Sequence, residues 1–264
     1  MLIEKPFAGK ITLVTGSGRG IGKAIALHFA SLGSDVVINF FRNRAPAEEV
    51  AKEIRGMGCD VLVVKANIGE IDEIKKLFSE IDDHFGGLDY FVSNAASGYN
   101  RSAMEQKPRG WDWTMNINAR AFLFGAQEAV PLMEKRGGGA MVAITSQGGD
   151  RVIPDYVVVG ASKAALNALT RYLAVELSPK NIVVNAVSPG IVETDVLKHF
   201  AVMKQEGLLE KVAENTPAKR LVTPQDVAKV AAFLCSPEAN MIRGEVIMVD
   251  GGFSLTMQSV GLEG

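Results

Sequence analysis

The chain has 264 residues, 47% of them hydrophobic, and a formal charge of −2, which suits one sizeable core and argues against a disordered or polyanion-binding chain. Its two cysteines, Cys59 and Cys235, are too few for a disulfide framework and lack the paired spacing of a zinc site. No segment holds about 18 uninterrupted apolar residues and the opening MLIEKPFAGK lacks the apolar run of a signal peptide, so a cytoplasmic protein with no membrane or nucleic-acid partner is expected.

In chain order the sequence predicts a strand at 11–15 (ITLVT), a helix at 20–32, a strand at 35–40 (DVVINF), a helix at 45–57 and a strand at 60–65. A helix at 70–85, a strand at 89–93, a helix at 112–135 and a strand at 140–145 follow. The chain then reads as a helix at 155–178, a strand at 182–187, a helix at 224–236 and a strand at 245–249. Gly33, Gly58, Gly86 and Gly137 stand where helix C-termini prefer glycine. Short Val- and Ile-rich runs alternating with helix-period segments are the pattern of repeated βαβ units. The expected fold is therefore α/β: a Rossmann-like, doubly wound, seven-stranded parallel sheet with helices on both faces, in a single domain over 1–264. The stretch at 194–218 is longer than a usual connection and is expected to form a flap over the site.

VTGSGRGIGKAI places Gly16, Gly20 and Gly22 after the first strand and at the start of a helix. Glycines there let the backbone turn tightly and approach a pyrophosphate, whose charge the helix N-terminus stabilises. The Gly-x3-Gly-x-Gly spacing resembles the short-chain dehydrogenase/reductase family. So do NAASG at 94–98, with Ala96 where glycine is usual, NINA at 116–119 and SPGIVET at 188–194. The resemblance spans essentially the whole chain. It implies a nicotinamide dinucleotide held by Gly16, Ser17, Arg19, Gly20, Ile21 and Gly22, by Asn94 and Ala95, and by Pro189, Gly190, Ile191 and Thr194.

A carboxylate at the end of the second strand would hold a ribose 2′-hydroxyl, but that position is close to Phe40 in INFFRNR, with no acid before Glu48. Arg19 and Arg42 are placed to bind a 2′-phosphate instead, so NADPH is the expected cofactor. The alternative is that both arginines are solvated surface charges. Asn67, followed by Ile68 after the third strand, either accepts from the adenine amino group or stabilises a turn.

DYVVVGASKAALNAL, at 155–169, carries the chemistry. Ordinary family members have a tyrosine four residues before the lysine and a serine thirteen before the tyrosine. Counting back from Lys163 gives Val159 and Ser146, and valine has no proton to give. The nearest phenol is Tyr156; residues at i and i+7 share a helix face, so it is expected one turn, roughly 4.5 Å, from the usual place. Reducing a ketone calls for a donor on the oxygen of the carbon that receives hydride. In a 2-enoyl thioester, hydride goes to C3 while charge develops on a more distant carbonyl oxygen, which suits a displaced donor.

Tyr-x6-Lys, together with WDWTMNINA, QEAVPLMEK, GASKAALNALTRYLAVELSPK and MIRGEVIMVDGG, resembles the type III enoyl-acyl-carrier-protein reductases of fatty-acid biosynthesis. SPG at 188–190 looks more like the ketoreductase branch, and Ser146 replaces the second tyrosine of other enoyl reductases. The resemblance implies that Tyr156 hydrogen-bonds the thioester carbonyl, that Lys163 binds the nicotinamide ribose and favours the polarised phenol, and that Asn118 holds a water linking Lys163 to solvent. Ser146 either steadies the substrate or stabilises the strand end. An enoyl-acyl-carrier-protein or enoyl-CoA substrate and a homotetramer are implied as well. The alternatives are a 3-oxoacyl-acyl-carrier-protein or general carbonyl reductase, and a nucleotide-binding regulator without turnover.

His28, His84 and His199 are scattered without ligand-like spacing, so neither a metal centre nor a Ser-His-Asp triad is expected. Met203, Met241, Met248 and Met257 either line an acyl pocket or fill the core.

Overall fold

The computed structural model describes residues 5–193 and 207–256. Seven strands form one sheet in the order β3-β2-β1-β4-β5-β6-β7, and all pairs are parallel. They are β1 (Ile11–Val14), β2 (Asp35–Phe40), β3 (Val61–Lys65), β4 (Tyr90–Ser93), β5 (Gly139–Ile144), β6 (Ile182–Pro189) and β7 (Val246–Val249). The expected doubly wound sheet is present, with every strand within a few residues of its predicted span.

Successive side chains of a pleated strand face opposite ways, and β1 shows what that does. Val14 joins a core with Ile25 and Phe29 of α1 (Gly20–Ser31), Val50 of α2 (Arg44–Gly56) and Val227 of α8 (Pro224–Cys235). Its neighbour Leu13 joins the opposite core with Leu77 of α3 (Ile71–Phe85), Phe122 of α5 (Ala121–Glu134) and Leu166 of α6 (Val157–Glu176). Covered on both faces, β1 and β6 carry buried residues throughout, which is why they read as continuous apolar runs. Gly33, Gly58, Gly86 and Gly137 all have positive φ, between 72° and 98°, as their places after helices predict.

Three boundaries differ from expectation. The single helix predicted at 112–135 is α4 (Pro108–Met115), a π-turn at Asn116–Arg120 and α5. Pro108 starts it early, because the first helical turn needs no N–H there. Within 194–218, where no helix is predicted, the described part contains one, α7 (Leu208–Asn215); the rest of the predicted flap lies outside the described residues. Finally, α6 starts at Val157, not 155: Asp155 has φ 59° and Tyr156 is the N-cap residue, with φ −104° and ψ 10°. Tyr156 therefore approaches the site from the entrance of the helix rather than from its face. Among the described residues, no helix is long and apolar enough to cross a membrane.

Candidate active site

Strand order reverses at β1 and β4, so the loops that leave their C-terminal ends open onto one crevice, the usual ligand position in such sheets. The cavity there holds about 770 Å³, within the range of small-molecule and cofactor sites. The glycine loop after β1 forms one wall. Gly16 and Gly20 have φ of 64° and 55°, and a Cβ on Gly22 would stand 2.5 Å from both the Gly16 oxygen and Asn94 Nδ2. The N-cap of α1, Arg19, makes no side-chain capping bond, so the N–H groups of the first turn are available to a phosphate. A shallow backbone cradle at an uncapped helix start fits a dinucleotide.

Asn94 fixes this loop: its Nδ2 donates to the Thr15 oxygen at 2.8 Å and the Gly16 oxygen at 3.3 Å. Asn39 does the same from β2, and the sequence reading missed it. Its Oδ1 accepts from Gly16 N at 3.3 Å while Nδ2 donates to the Ala66 oxygen at 3.1 Å. The available signal was an amide inside the apolar run DVVINF. Gly16, Arg19, Gly20, Ile21, Gly22, Asn94, Ala95, Pro189, Gly190 and Ile191 all line the cavity. Ser17 does not: it is fully buried, and its hydroxyl donates to the Val14 oxygen at 2.8 Å, bracing the loop from behind. Thr194 lies outside the described residues.

At the end of β2, Phe40 is buried, and the Arg42 guanidinium stands 5.9 Å from the centre of the Phe41 ring. Arg19, Arg42 and Lys163 are among the described lining residues, which include no carboxylate. Asn67 and Ile68 also line the cavity, but Asn67 Oδ1 already accepts from Gly69 N at 3.1 Å. That bond is the turn-stabilising role the sequence left open.

Tyr156, Ser146 and Lys163 converge on the same cavity. Lys163 is buried, with Nζ donating to the Ile144 oxygen at 2.7 Å, and burial lowers its pKa from 10.5 to about 8. Burial pushes the Tyr156 phenol above its usual value, opposed by its hydrogen bond with the Ser146 side chain. The phenol thus keeps its proton through the neutral range. Ser146 also accepts from Gly148 N at 3.2 Å, capping the turn after β5, so it contacts the phenol and stabilises the strand end at once. Of the four tyrosines, Tyr90 is in the core, while Tyr99 and Tyr172 are exposed and do not line the cavity. Val159 is buried, and a Cβ on Gly98 would collide with its Cγ2.

Asn118 sits behind this group. Its Oδ1 accepts from Ser97 N at 2.8 Å, and its Nδ2 donates to the Ser97 oxygen and to Ser162 Oγ, each at 2.9 Å. The side chain holds the loop after β4 against α6. Trp113 Nε1 reaches Ser97 Oγ at 2.8 Å, adding an aromatic wall that the sequence reading missed. Among the described residues, neither methionine expected for an acyl pocket lines the cavity: Met241 is 94% exposed, and Met248 faces Gln147. Met203 and Met257 lie outside the described residues, as does His199. His84 pairs with Asp60 at 2.9 Å, and His28 is not part of the cavity.

A family model described as enoyl-(acyl carrier protein) reductase matches residues 16–254. The chain is 37% identical to 1-cyclohexenylcarbonyl-CoA reductase of Streptomyces collinus over 93% of its own length and 87% of the relative's. The chain belongs to the short-chain dehydrogenase/reductase family. Another member, a hydroxynaphthalene reductase-like protein, Arp2, of Metarhizium anisopliae, is 38% identical and covers 94% of this chain and 96% of its own. Among solved short-chain dehydrogenase/reductase structures, a 7α-hydroxysteroid dehydrogenase complexed with NADH and 7-oxo glycochenodeoxycholic acid superposes with a TM-score of 0.88. It is 33% identical over 94% of this chain and 96% of that one. As a short-chain dehydrogenase/reductase, the protein is an oxidoreductase whose fold binds a nicotinamide cofactor.

Proposed function

We propose that the enzyme reduces the C2–C3 double bond of a trans-2-enoyl thioester with NADPH, as an enoyl-acyl-carrier-protein reductase of fatty-acid biosynthesis. The observation that carries this reading is that Tyr156 is the one tyrosine lining the cavity, beside Ser146 and Lys163, while Val159 fills the ordinary tyrosine position. The relative named for 1-cyclohexenylcarbonyl-CoA, an unsaturated thioester, supports it.

NADPH, when bound, supplies the hydride that reduces C3. The chain's part is electrostatic. Tyr156 donates a hydrogen bond to the thioester carbonyl oxygen as negative charge builds there, a bond that strengthens with the charge it meets. Ser146 orients the phenol through its own hydroxyl. Lys163 would hold the nicotinamide ribose hydroxyls and brings positive charge to the cavity that the phenol lines. Asn118 keeps the loop that forms the opposite wall in place; a water reached through this residue would sit on its main-chain carbonyl in the π-turn, since both side-chain amide atoms are engaged. In the proposed homotetramer, the exposed Tyr172 and Val175 of α6 and Met248 of β7 would be covered.

Crotonyl and acetoacetyl thioesters, offered side by side with NADPH, test the reading. Preferential turnover of crotonyl is expected. Preferential ketone turnover would establish the second reading, a 3-oxoacyl or carbonyl reductase, which SPG at 188–190 and the hydroxynaphthalene reductase-like relative favour.

Arg19 and Arg42 would bind the 2′-phosphate of NADPH by charge-assisted hydrogen bonds. Arg42→Ala is expected to lower kcat/KM for NADPH about 10- to 150-fold, one such bond being worth about 1.5–3 kcal/mol, and to leave NADH kinetics within about twofold. Equal losses with both cofactors would show that Arg42 does not recognise the phosphate.

A further inference from the structure

Tyr156 precedes α6 instead of lying within it, so the helix does not hold its ring. The ring rests on Gly148: a Cβ there would stand 2.6 Å from both Cδ1 and Cε1 of Tyr156, and 3.2 Å from Ile153 Cδ1. On its other side the Gly148 carbonyl presses on α6, where a Cβ on Gly160 would come within 2.7 Å of that oxygen.

The turn that carries Gly148, at residues 146–150, is braced on every side. Within it, Gly149 N donates to the Ser146 oxygen at 2.9 Å and Asp150 N to the Gln147 oxygen at 3.0 Å. Toward α6 the anchor is Asn167, a buried amide. Its Oδ1 accepts from Thr145 Oγ1 at 2.6 Å, and its Nδ2 donates to the Asp150 carboxylate at 3.3 Å. Toward the C-terminal turn, Gln147 Nε2 donates to Asp250 Oδ2 at 2.9 Å, and Arg151 Nη1 to the Ser254 oxygen at 2.8 Å. A methyl group added at 148 thus meets the Tyr156 ring and the end of Ile153, side chains that can pivot, while the backbone carrying it is held by the bonds of the turn and by its close approach to α6.

We infer that Gly148, on a turn anchored by Asn167, is a positioning residue that sets where the Tyr156 hydroxyl stands in the cavity. The inference rests on the role proposed for Tyr156. Gly148 is not among the glycines with positive φ, so alanine can take its backbone without strain. The added methyl displaces the ring, and misplacing a reacting group by about 1 Å can cost on the order of 10²-fold.

With crotonyl-CoA and NADPH as probes, Gly148→Ala is expected to lower kcat about 10- to 100-fold while KM for NADPH stays within about twofold. In a Tyr156→Phe background, which has no hydroxyl to misplace, Gly148→Ala should have no further effect, and this non-additivity separates positioning from general damage. Should Gly148→Ala fold poorly, Asn167→Ala loosens the same turn without adding bulk and carries the same cycle, with the same expected non-additivity. Turnover within twofold of the parent, or an undiminished further loss in the Tyr156→Phe background, would overturn the inference. If Tyr156→Phe itself kept full activity, the proposed function of the phenol would fall first, and this inference with it.

Discussion

Tyr156→Phe is expected to lower kcat/KM for a 2-enoyl thioester by about 10²- to 10³-fold, the usual cost of removing one donor to a developing oxyanion. The loss should fall mainly on kcat, because a hydrogen bond that strengthens with charge contributes more in the transition state than in the bound substrate. NADPH affinity should stay within about twofold, since the hydroxyl bonds Ser146 and is not part of the glycine cradle. Burial favours the neutral phenol, so the donor form persists through neutral pH and is lost only as pH rises past its raised pKa. Any fall in parent activity as pH rises through about 8 is accordingly expected from loss of the Lys163 charge, while the phenol stays protonated. A Phe variant with parental kcat would remove Tyr156 from the reaction.

The fold was legible because its signals are local. Each strand of the sheet is an apolar run of four to eight residues, and glycines with positive φ close the helices where the sequence has them. The glycine loop was legible for the same reason: Gly16, Gly20 and Gly22 are needed where backbone meets backbone. What the sequence concealed was how polar side chains are engaged. Ser17, Asn67 and Asn118 stand in binding motifs, yet each bonds first to protein, to Val14, Gly69, and Ser97 with Ser162 respectively. Such partners come from distant segments, and spacing does not report them. Tyr156 shows the same limit at short range. A helix-face count placed it on α6, but Asp155 in a left-handed conformation starts the helix after it, so its position depends on Gly148 and Ser146 from another turn. Asn39 was overlooked because an amide in a strand reads as an imperfection until its bonds to Gly16 and Ala66 are seen.

Lys163→Met is expected to abolish most activity and to make the cofactor-free chain more stable at neutral pH. An ammonium in this cavity floor is poorly solvated, which is why its pKa falls from 10.5 to about 8. That gap corresponds to roughly 3 kcal/mol. The folded state binds the proton more weakly than the unfolded state, so the cost is fully present below about pH 8 and is relieved as pH rises toward 10.5. Methionine fills similar volume without charge. It also forfeits the bond to the Ile144 oxygen, worth about 1 kcal/mol when the lysine is neutral. The net gain near pH 7 should be about 1–2 kcal/mol, a rise in Tm of about 3–6 °C for a chain of this size. Above pH 10 the bond to Ile144 is all that distinguishes the two chains, so the advantage should vanish and reverse. Catalysis should move the opposite way, with kcat falling about 10²-fold or more as positive charge is lost from the cavity. Melting curves of both chains between pH 6 and 11, roughly bracketing the two pKa values, decide the matter. If the curves run parallel, or the methionine variant melts lower at pH 7, Lys163 is not a residue held at the expense of stability for the sake of the site.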